Sequence, residues 1–428
     1  MQSTPEFYGL VDGNNFYVSC ERVVDPKLNG RPVAVLSNND GCCVAMSPEF
    51  KALGILRGTP YFQLKDREWP RGELVFRSSN YELYGDISRR IIGILRSRAV
   101  DVEQYSIDEA FIVPPTSEHA DLAAYGRSVR AQILKWVGVP CGVGFARTKT
   151  LAKIANHIGK KRPDGVFTMP DDPSAILAAL PTDEVWGVGR RLPAKLRGER
   201  IFTAKDLRDA ADDVIRSVGG VTLLRTAMEL RGIPCNAERD YAADPDSVSC
   251  SRSFGEPVTT KDALMESLAS FAAQAAVKLR RHGLLATGCN VYAQIATPGM
   301  FEDWSDIDKS FTGCTIAFAE PTDATTDIVA AIHEFIDSIY VPNVRYRKSG
   351  IVFFGLEKAG AAYQADLFTR ETHEASALYR TIDALNAKLG KGKVFSAAEG
   401  IGRKSWAMKR ALLSKRATTN WDELITVR

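Results

Sequence analysis

The sequence lacks several features that would place it in common classes of protein. It has no CxxC pair, and its eight cysteines are scattered without histidines at metal-ligand spacing, which argues against a zinc site. No apolar stretch approaches the roughly 18 residues that cross a bilayer. The polar N-terminus, with one short apolar run at residues 7–11, is unlike a secretory signal. We therefore expect a reduced, cytoplasmic protein without a membrane partner.

Bulk charge is also uninformative, because the net charge is only +3 and the pI about 8.3. Two segments, however, carry basic residues and no acids. They contain Arg147, Lys149, Lys153, Lys160, Lys161 and Arg162, and Arg403, Lys404, Lys409, Arg410, Lys415 and Arg416. Such a run is either a solvated face or a track for phosphates, and the pattern alone leaves both interpretations open.

The first part of the chain alternates short strands with amphipathic helices. Strands are predicted at residues 7–11, 31–37, 102–105, 110–113 and 141–146, and helices at 80–98, 120–137 and 148–160. This order predicts an α+β layer in which helices back an antiparallel sheet. Residues 184–239 carry few strand signals and predict a small helical domain.

The second part of the chain has a different pattern. Residues 241–249 are polar and contain proline, which predicts a linker. From residue 250 to 356 the order is strand, helix, strand, strand, helix, strand, which is typical of a split βαβ domain. The chain then becomes polar and basic, which predicts an extended tail with a short apolar segment near residues 406–413.

Three carboxylates lie at the ends of predicted strands. Asp12 ends the first strand, and Asp108 and Glu109 are adjacent in a tight segment between two strands. Taken alone, each acid is more often a structural residue, either a surface turn acid or an Asp that ends a strand, than a metal ligand. Together they suit Mg²⁺, which takes a few protein carboxylates along with substrate phosphates. Two such ions about 4 Å apart can activate a hydroxyl nucleophile and stabilise a leaving pyrophosphate.

The surrounding motifs give these acids a context. The segments LVDGNNFYVSCE (10–21), YSIDEAF (105–111), and GVGFA through KTLAKIAN (142–156) resemble three motifs of the Y-family DNA polymerases. SNNDGC (37–42) and SSNYELY (78–84) resemble the UmuC branch of that family. The resemblance covers nearly the whole chain, in order and at appropriate spacing.

This resemblance implies a right-hand polymerase that carries out error-prone translesion synthesis in the SOS response to DNA damage, without proofreading. Its substrates would be primer-template DNA and deoxynucleoside triphosphates. The implied domains are a palm (1–22 and 78–170), fingers (23–77), a helical thumb (171–240), a linker (241–249), a split-βαβ little finger (250–356), a clamp-binding tail (357–376) and a UmuC-type C-terminal segment (377–428).

The resemblance also implies roles for individual residues around the nucleotide. Asp12, Asp108 and Glu109 would be the catalytic carboxylates that hold two Mg²⁺ ions, with the carbonyl of Gly13 as a further ligand. Tyr17 would be the steric gate that excludes a ribose 2′-hydroxyl. The predicted nucleotide-binding groups are the backbone N–H groups of Asn15, Phe16 and Tyr17 at a helix start, and the side chains of Lys51 and Lys153.

One difference from the family concerns the phosphate clamp of the fingers. Many members have Thr and Tyr where this chain has Ala45 and Pro48, and neither residue can donate a side-chain hydrogen bond. The resemblance therefore supports the catalytic carboxylates more strongly than it supports the remaining clamp residues.

DNA and protein partners are implied by the remaining motifs. VWGVGRRL (185–192) resembles a helix-hairpin-helix, so DNA contacts are predicted at Lys149, Gly187, Gly189 and Arg190, with the basic run at 147–162 as a phosphate track. QADLF resembles a sliding-clamp peptide, with Gln364, Leu367 and Phe368 as its contacts. The C-terminal segment implies a UmuD-type accessory dimer and RecA, with Trp406, Leu412 and Trp421 as candidate anchors.

Two other classes of function remain open on the sequence. A non-catalytic recruitment protein can share this fold after losing its carboxylates, but this chain retains Asp12, Asp108 and Glu109. Another palm-fold nucleotidyl enzyme, such as a cyclase, would leave the helical region, the little finger and the clamp-like peptide without a use.

Overall fold

The computed structural model describes residues 6–67, 69, 74–236, 244–296, 310–359, 373–390, 392–402 and 404–425. The chain divides into two compact units, Met1–Arg239 with Leu412–Arg428, and Asp240–Ala411. Both units combine helices with mainly antiparallel sheets, so the α+β class predicted from the sequence is confirmed. No helix within the described ranges is both long and apolar enough to cross a membrane.

The first unit contains eight strands and nine α-helices in its described residues. The strands are β1 (Tyr8–Gly13), β2 (Val33–Leu36), β3 (Cys43–Met46), β4 (Val75–Ser78), β5 (Asp101–Gln104), β6 (Glu109–Val113), β7 (Cys141–Ala146) and β8 (Val166–Thr168). The helices are α1 (Phe16–Val24), α2 (Pro48–Lys51), α3 (Tyr81–Arg96), α4 (Leu122–Val137), α5 (Lys149–Gly159), α6 (Ser174–Ala179), α7 (Leu192–Gly198), α8 (Ala204–Asp209) and α9 (Asp212–Leu230).

The central sheet of this unit has the strand order β5-β6-β1-β7-β8. Strand β1 lies in the middle and pairs antiparallel with both β6 and β7. Side chains alternate between the two faces of a strand. Val11 therefore packs in a core with residues of α3 and α4, while Leu10 packs in another with residues of α5 and α9. Helices cover both faces of the sheet. The C-terminal end of β1 lies at the edge of the sheet where the strands end.

A second, smaller sheet has the order β3-β2-β4. Its core includes Leu36 and Phe50, and the side chain of Leu412 packs against that core. The backbone of Leu412 accepts a hydrogen bond from Ser78 N–H at 3.0 Å. The end of the chain thus belongs structurally to the first unit.

Residues 174–230 form the helices α6 to α9; α7 to α9 lie within the helical region predicted at 184–239, and α6 precedes it. Their apolar residues share one core with α5 of the sheet layer. Leu177, Leu196, Leu207, Ile215 and Leu223 are all buried in it. The helical region and α5 are therefore packed as one body.

The second unit confirms the predicted strand and helix order. Its elements are β9 (Val248–Val258), α10 (Lys261–His282), β10 (Leu284–Ile295), β11 (Phe311–Thr322), α11 (Thr325–Ile339), β12 (Tyr346–Lys358) and α12 (His373–Leu389). The sheet order is β11-β10-β12-β9, and all its pairings are antiparallel. Strand β9 begins two residues inside the segment that was predicted to be a linker.

Helix α12 contradicts the prediction of an extended tail at these residues. Tyr379 is its buried aromatic residue, while Leu378 and Leu389 are more than half exposed. The helix is attached by charge: Arg280 of α10 donates to both carboxylate oxygens of Asp383, at 2.7 and 3.1 Å. The apolar residues of this segment therefore recur too weakly at helical spacing to have predicted the helix.

Of the three candidate partner anchors near the C-terminus, Trp406 is an interior residue, so the prediction was wrong for it, and Leu412 is partly buried. Trp406 is 7% exposed and meets the edge of Phe271 at 5.6 Å between ring centroids. Leu412 packs against the core of the small sheet. Trp421, at 86% exposed, is still accessible to a partner.

Candidate active site

Asp12 and Glu109 face each other across two neighbouring strands. Asp12 lies near the end of β1, and Glu109, the first residue of β6, is directly opposite it in register. Like charges in this position repel each other. Asp108 precedes Glu109 in the turn, and its backbone carbonyl accepts a hydrogen bond from Gly13 N–H at 2.9 Å. The structure therefore brings the three predicted carboxylates to one edge of the central sheet.

Helix α5 and the residue that directly follows it supply cations to two of these acids. Lys160 Nζ lies 2.6 Å from Asp12 Oδ2, and Lys153 Nζ lies 2.9 Å from Glu109 Oε2. The two lysines are about two helical turns apart and thus share one face of the helix. Asn156 lies between them on that face and donates to Leu10 O at 3.2 Å. This face of α5 is therefore aligned with the carboxylate edge.

The close packing of α5 on β7 depends on two glycines. A Cβ atom at Gly144 would lie 2.1 Å from the backbone nitrogen of Asn156, and one at Gly142 would lie 2.7 Å from Lys160 Cγ. Gly142 is also the residue opposite Asp12 on β7. The space above Gly142 accommodates the stem of Lys160, which explains the GVG pattern at residues 142–144.

The electrostatics of the edge are those of partly buried acids held by neighbouring groups. The pKa of the Asp12 carboxyl is raised to about 6, chiefly by burial; Lys160 lowers it, and Glu109 and Asp108 also contribute to raising it. Asp108 is exposed, and its Oδ1 accepts a hydrogen bond from Ser106 Oγ at 2.6 Å. Among the described residues, no three acidic, His or Cys side chains converge as a ready-made metal site. Each carboxylate instead has a protein partner.

Tyr17 is held between two other tyrosines. Its ring stacks on Tyr84 with a centroid distance of 4.6 Å and meets the edge of Tyr81 at 6.0 Å. Both partners lie in the first turn of α3. Burial raises the pKa of Tyr17, and Tyr81 and Asp108 raise it further. The ring therefore has a defined orientation close to the carboxylate edge.

The start of α1 brings Lys51 and free backbone donors together. Asn15 precedes the helix in the left-handed conformation, with φ 46°. Lys51 Nζ donates to Asn15 Oδ1 at 2.5 Å. The N–H groups of Asn15, Phe16 and Tyr17 have no acceptor within the described part of the chain. Such donors at the positive end of a helix dipole suit an anion.

Lys149 is placed differently from its predicted role as a DNA contact. Its side chain is 3% exposed and forms an ion pair with Glu103, whose side chain is 8% exposed. A buried ammonium that already has a carboxylate partner cannot reach a phosphate on the surface. The prediction of a DNA contact at Lys149 was therefore wrong for this structure.

The rest of the basic run at 147–162 is also largely paired within the chain. Arg147 pairs with Asp171 at 3.1 Å, and Arg162 with Asp164 at 3.3 Å. Lys161 is exposed, and no ion pair among the described residues includes it. Most basic side chains of the run are therefore directed at acids of the fold, whereas Lys161 is directed at the surface.

The glycine hairpin lies before α7 and presents backbone to the surface. Gly187 has φ +93°, a backbone conformation that residues other than glycine rarely adopt. A Cβ atom there would lie 2.7 Å from Thr226 Oγ1. Gly187, Gly189 and Arg190 are all exposed. Their N–H groups have no acceptor among the residues that the structure describes, which suits a backbone contact with phosphates.

Some predicted residues lie outside the described part of the chain, and some residues near the carboxylates were not predicted. Gln364, Leu367 and Phe368 of the clamp-like peptide lie outside the described residues. Lys160 was not singled out from the sequence, although its spacing of seven from Lys153 on a helix is a usable signal. Tyr81 and Tyr84 were quoted only as part of a motif, because nothing in the sequence indicates that they contact Tyr17.

Comparison with solved structures identifies the fold. A Y-family DNA polymerase chimera of Dbh and Dpo4 has a TM-score of 0.64, at 18% identity, over 82% of this chain and 99% of its own. An insertion ternary complex of Dbh DNA polymerase has a TM-score of 0.53, also at 18% identity, with the same coverage of both chains. The fold is that of a Y-family DNA polymerase.

Sequence relatives identify the branch. The protein UmuC of Salmonella typhimurium is 41% identical over 98% of this chain and 100% of its own length, and the protein ImpB of Salmonella typhimurium is 38% identical over 97% and 98%. The DNA polymerase IV of Bacillus velezensis is 28% identical over 90% and 91%. Family models match residues 11–157 (impB/mucB/samB family), 245–367 (C-terminal domain of that family) and 376–427 (a domain of unknown function, DUF4113). The chain belongs to the impB/mucB/samB family, the UmuC branch of the Y-family DNA polymerases.

Proposed function

We propose that this chain is an error-prone translesion DNA polymerase whose catalytic metal ions are held by Asp12, Asp108 and Glu109. The observation that carries the assignment is the cross-strand pair of Asp12 and Glu109, each bound by a lysine of one helix face. Membership of the UmuC branch makes the chain a DNA-directed DNA polymerase that acts on damaged template in the SOS response. Its substrates are DNA and nucleotides.

The donor set fits divalent cations, and we propose two Mg²⁺ ions. The carboxylates of Asp12, Asp108 and Glu109 and the carbonyl of Gly13 are oxygen ligands of the kind that Mg²⁺ prefers. Opposed like charges at this sheet edge require a cation, and lysine ammonium groups fill that requirement in the structure. When bound, the ions would activate the primer 3′-hydroxyl and neutralise charge on the leaving pyrophosphate.

The lysines of α5 then become available to the nucleotide. Once Asp12 and Glu109 have other cations, Lys160 and Lys153 are free to contact triphosphate oxygens, which also carry negative charge. Lys51 and the N–H groups of Asn15, Phe16 and Tyr17 bind the triphosphate from the other side. This arrangement compensates for the missing hydroxyl donors at Ala45 and Pro48.

Tyr17 acts in this proposal as the gate for the sugar. A ring fixed by stacking on Tyr84 cannot move away from a ribose 2′-hydroxyl without losing its aromatic contacts. Deoxyribonucleotides lack that hydroxyl and would be accepted. The hairpin at Gly187, Gly189 and Arg190 binds the DNA backbone through its exposed N–H groups, without reading sequence.

The partners and location are also part of the proposal. A sliding clamp would bind Gln364, Leu367 and Phe368, and a UmuD-type dimer and RecA would act through the C-terminal segment, as the UmuC resemblance suggests. The free cysteines in the structure support a reducing, cytoplasmic location. The domain boundaries predicted from the sequence remain proposals.

Primer extension with purified chain tests the metal assignment. Asp108→Asn or Glu109→Gln should abolish single-nucleotide insertion with Mg²⁺, because either change removes a charged ligand, while primer-template affinity changes less than about threefold. Asp101→Asn is a matched control, since Asp101 is an exposed acid at the start of β5. Substantial extension by Asp108→Asn would contradict the assignment.

Extension by the unmodified chain that appears only with a UmuD-type partner indicates a partner-gated polymerase. Failure to extend under all conditions favours a recruitment protein.

A further inference from the structure

The C-terminal strap, which we define as residues 412–416, lies beside the small sheet of the first unit. Leu413 forms a parallel bridge with Ser78 at the end of β4. Ser78 N–H donates to Leu412 O at 3.0 Å, and Leu412 N–H donates back to Ser78 Oγ at 2.9 Å. The strap therefore continues an existing sheet edge through reciprocal hydrogen bonds.

The next strap residue, Ser414, contacts two polar groups of the polymerase layer. Its hydroxyl donates to Glu21 Oε1 at 3.0 Å and accepts from Asn80 Nδ2 at 3.0 Å. Asn80 also donates to the carbonyl of Ser414 at 3.3 Å. Asn80 caps α3, since its Oδ1 accepts from the N–H of Leu83 at 3.3 Å. One strap residue therefore holds the cap of the helix that carries Tyr81 and Tyr84.

Glu21 connects the strap to Tyr84. Its carboxylate is fully buried, and Oε1 also accepts a hydrogen bond from the hydroxyl of Tyr84 at 2.7 Å. Its Oε2 has no hydrogen-bond partner among the described residues, and Arg77 Nε lies 3.9 Å away. A buried carboxylate with so few donors loses much of its support when one donor is removed. Ser414 is such a donor.

Tyr84 in turn holds the proposed gate, because its ring stacks on the ring of Tyr17. The strap thus reaches Tyr17 through two connected routes: from Ser414 to Glu21 to Tyr84, and from Ser414 to Asn80 to the first turn of α3. We propose that Ser414 and Glu21 are positioning residues for sugar selection, so that docking of the C-terminal strap sets how strictly ribonucleotides are excluded. This proposal depends on the assignment of Tyr17 as the gate.

The test measures the ratio of kcat/KM for dCTP to kcat/KM for rCTP opposite template dG, under the accessory conditions that give extension. Ser414→Ala should lower this ratio by roughly 3- to 30-fold, a part of the roughly 10- to 150-fold effect that loss of a hydrogen bond to a charged group can have. Ser414→Thr, which keeps the hydroxyl, should restore most of it. General damage to the fold would reduce both kcat/KM values together and leave the ratio unchanged.

Three further variants make the test decisive. Leu424→Ala is the matched control, since this residue lies in the same C-terminal peptide, outside the strap, and is 49% exposed; its ratio should equal that of the unmodified chain. A chain that ends at residue 411 should show at least the loss seen for Ser414→Ala. Tyr17→Ala should abolish most of the discrimination.

Amide hydrogen exchange at Leu83 and Tyr84 should be faster in Ser414→Ala, which checks the strap contact independently of turnover.

The outcomes separate the two proposals. If Tyr17→Ala lowers the ratio but Ser414→Ala and the shortened chain do not, the strap proposal is overturned and the gate stands. If Tyr17→Ala leaves the ratio unchanged, the gate assignment is wrong and the strap proposal is wrong with it. Loss of the ratio in Ser414→Ala with recovery in Ser414→Thr supports the strap as a positioning element.

Discussion

Three lysines on or beside α5 carry the same charge but meet different surroundings. Lys153 and Lys160 are partly exposed and pair with acids of the active-site edge, whereas Lys149 and Glu103 form a buried pair. Two exposed members of a site can exchange partners when ligands bind. A buried pair cannot, because separation leaves a charge without water or a counterion. The same residue type therefore has a proposed nucleotide-binding role at two positions and a structural role at the third.

The structural role of Lys149 leads to a stability prediction. Lys149→Met should lower the free energy of unfolding by about 3–5 kcal/mol, because it leaves Glu103 charged and buried. Urea unfolding followed by circular dichroism measures the change, and Lys161→Met, at an exposed lysine two residues beyond α5, should stay within about 0.5 kcal/mol. Adding Glu103→Leu to Lys149→Met should recover much of the loss. A Lys149→Met chain that is stable but binds DNA poorly would contradict this interpretation.

The sequence could predict that the three acids lie at strand ends but not the surroundings of the nearby cations. Asp12, Asp108 and Glu109 stand in motifs at strand ends, so their location follows from local pattern. Burial of Lys149 follows from how α5 packs on the sheet and α9, which is a tertiary property that leaves no mark in the run of basic residues. The contact of Tyr84 with Tyr17 joins residues far apart in sequence and has the same origin.

At the scale of elements, the start of α5 is the point where the helical region supports the sheet layer. Thr148 caps the helix through a bond from Leu151 N–H at 3.3 Å, and its hydroxyl donates to Glu229 O at 2.8 Å. The buried carboxylate of Glu229 accepts from the N–H of Thr150 at 2.9 Å. It also accepts from the N–H groups of Cys235 at 2.7 Å and Asn236 at 2.9 Å. One side chain of α9 thus satisfies three backbone donors.

Removing that carboxylate should affect both stability and the order of α5. Glu229→Ala should lower the free energy of unfolding by about 2–5 kcal/mol, since buried N–H groups lose their acceptor. Hydrogen exchange in the first turn of α5 should become faster. Glu199→Ala, an exposed acid just after α7, is the matched control and should change neither quantity. An unchanged unfolding midpoint for Glu229→Ala would show that water replaces the carboxylate.

The type and bounds of an element were predictable where the pattern of apolar residues determines them. β7 was predicted to the residue because it is a short, continuously apolar and buried run, and α4 within two residues because its buried positions recur at helix spacing. Helix α12 was missed because its attachment is the ion pair between Arg280 and Asp383. One ion pair and one buried aromatic side chain, Tyr379, form no periodic pattern, so the sequence pattern does not reveal the helix.

At the scale of the whole molecule, the C-terminal part of the chain is shared between the two units. Residues up to Ala411, including α12 and Trp406, belong to the second unit, and Leu412–Arg428 belongs to the first. The sequence predicted one C-terminal segment from 377 to 428, and a single family model also matches residues 376–427. The peptide predicted to bind a sliding clamp precedes this part, at residues 364–368.

The clamp prediction is tested on the full chain. Replacing Leu367 and Phe368 with Ala should remove stimulation of synthesis by a sliding clamp, because these side chains would fill its apolar pocket, and should leave extension without clamp unchanged within about twofold. Leu378→Ala is a suitable control, since Leu378 is a nearby leucine of α12 that is 56% exposed. Synthesis that is stimulated equally in the double variant and the unmodified chain would contradict the prediction.

The approach of α5 to β7 has a consequence for how this enzyme tolerates mutation. Because any side chain at position 144 would meet the backbone of Asn156, even Gly144→Ala must move the helix and with it Lys153 and Lys160. In a saturation library scored for lesion bypass, we expect position 144 to be about as intolerant as Asp12, although glycine touches no substrate. Screens that aim to widen the lesion spectrum should therefore keep this position constant and vary residues outside the helix contact.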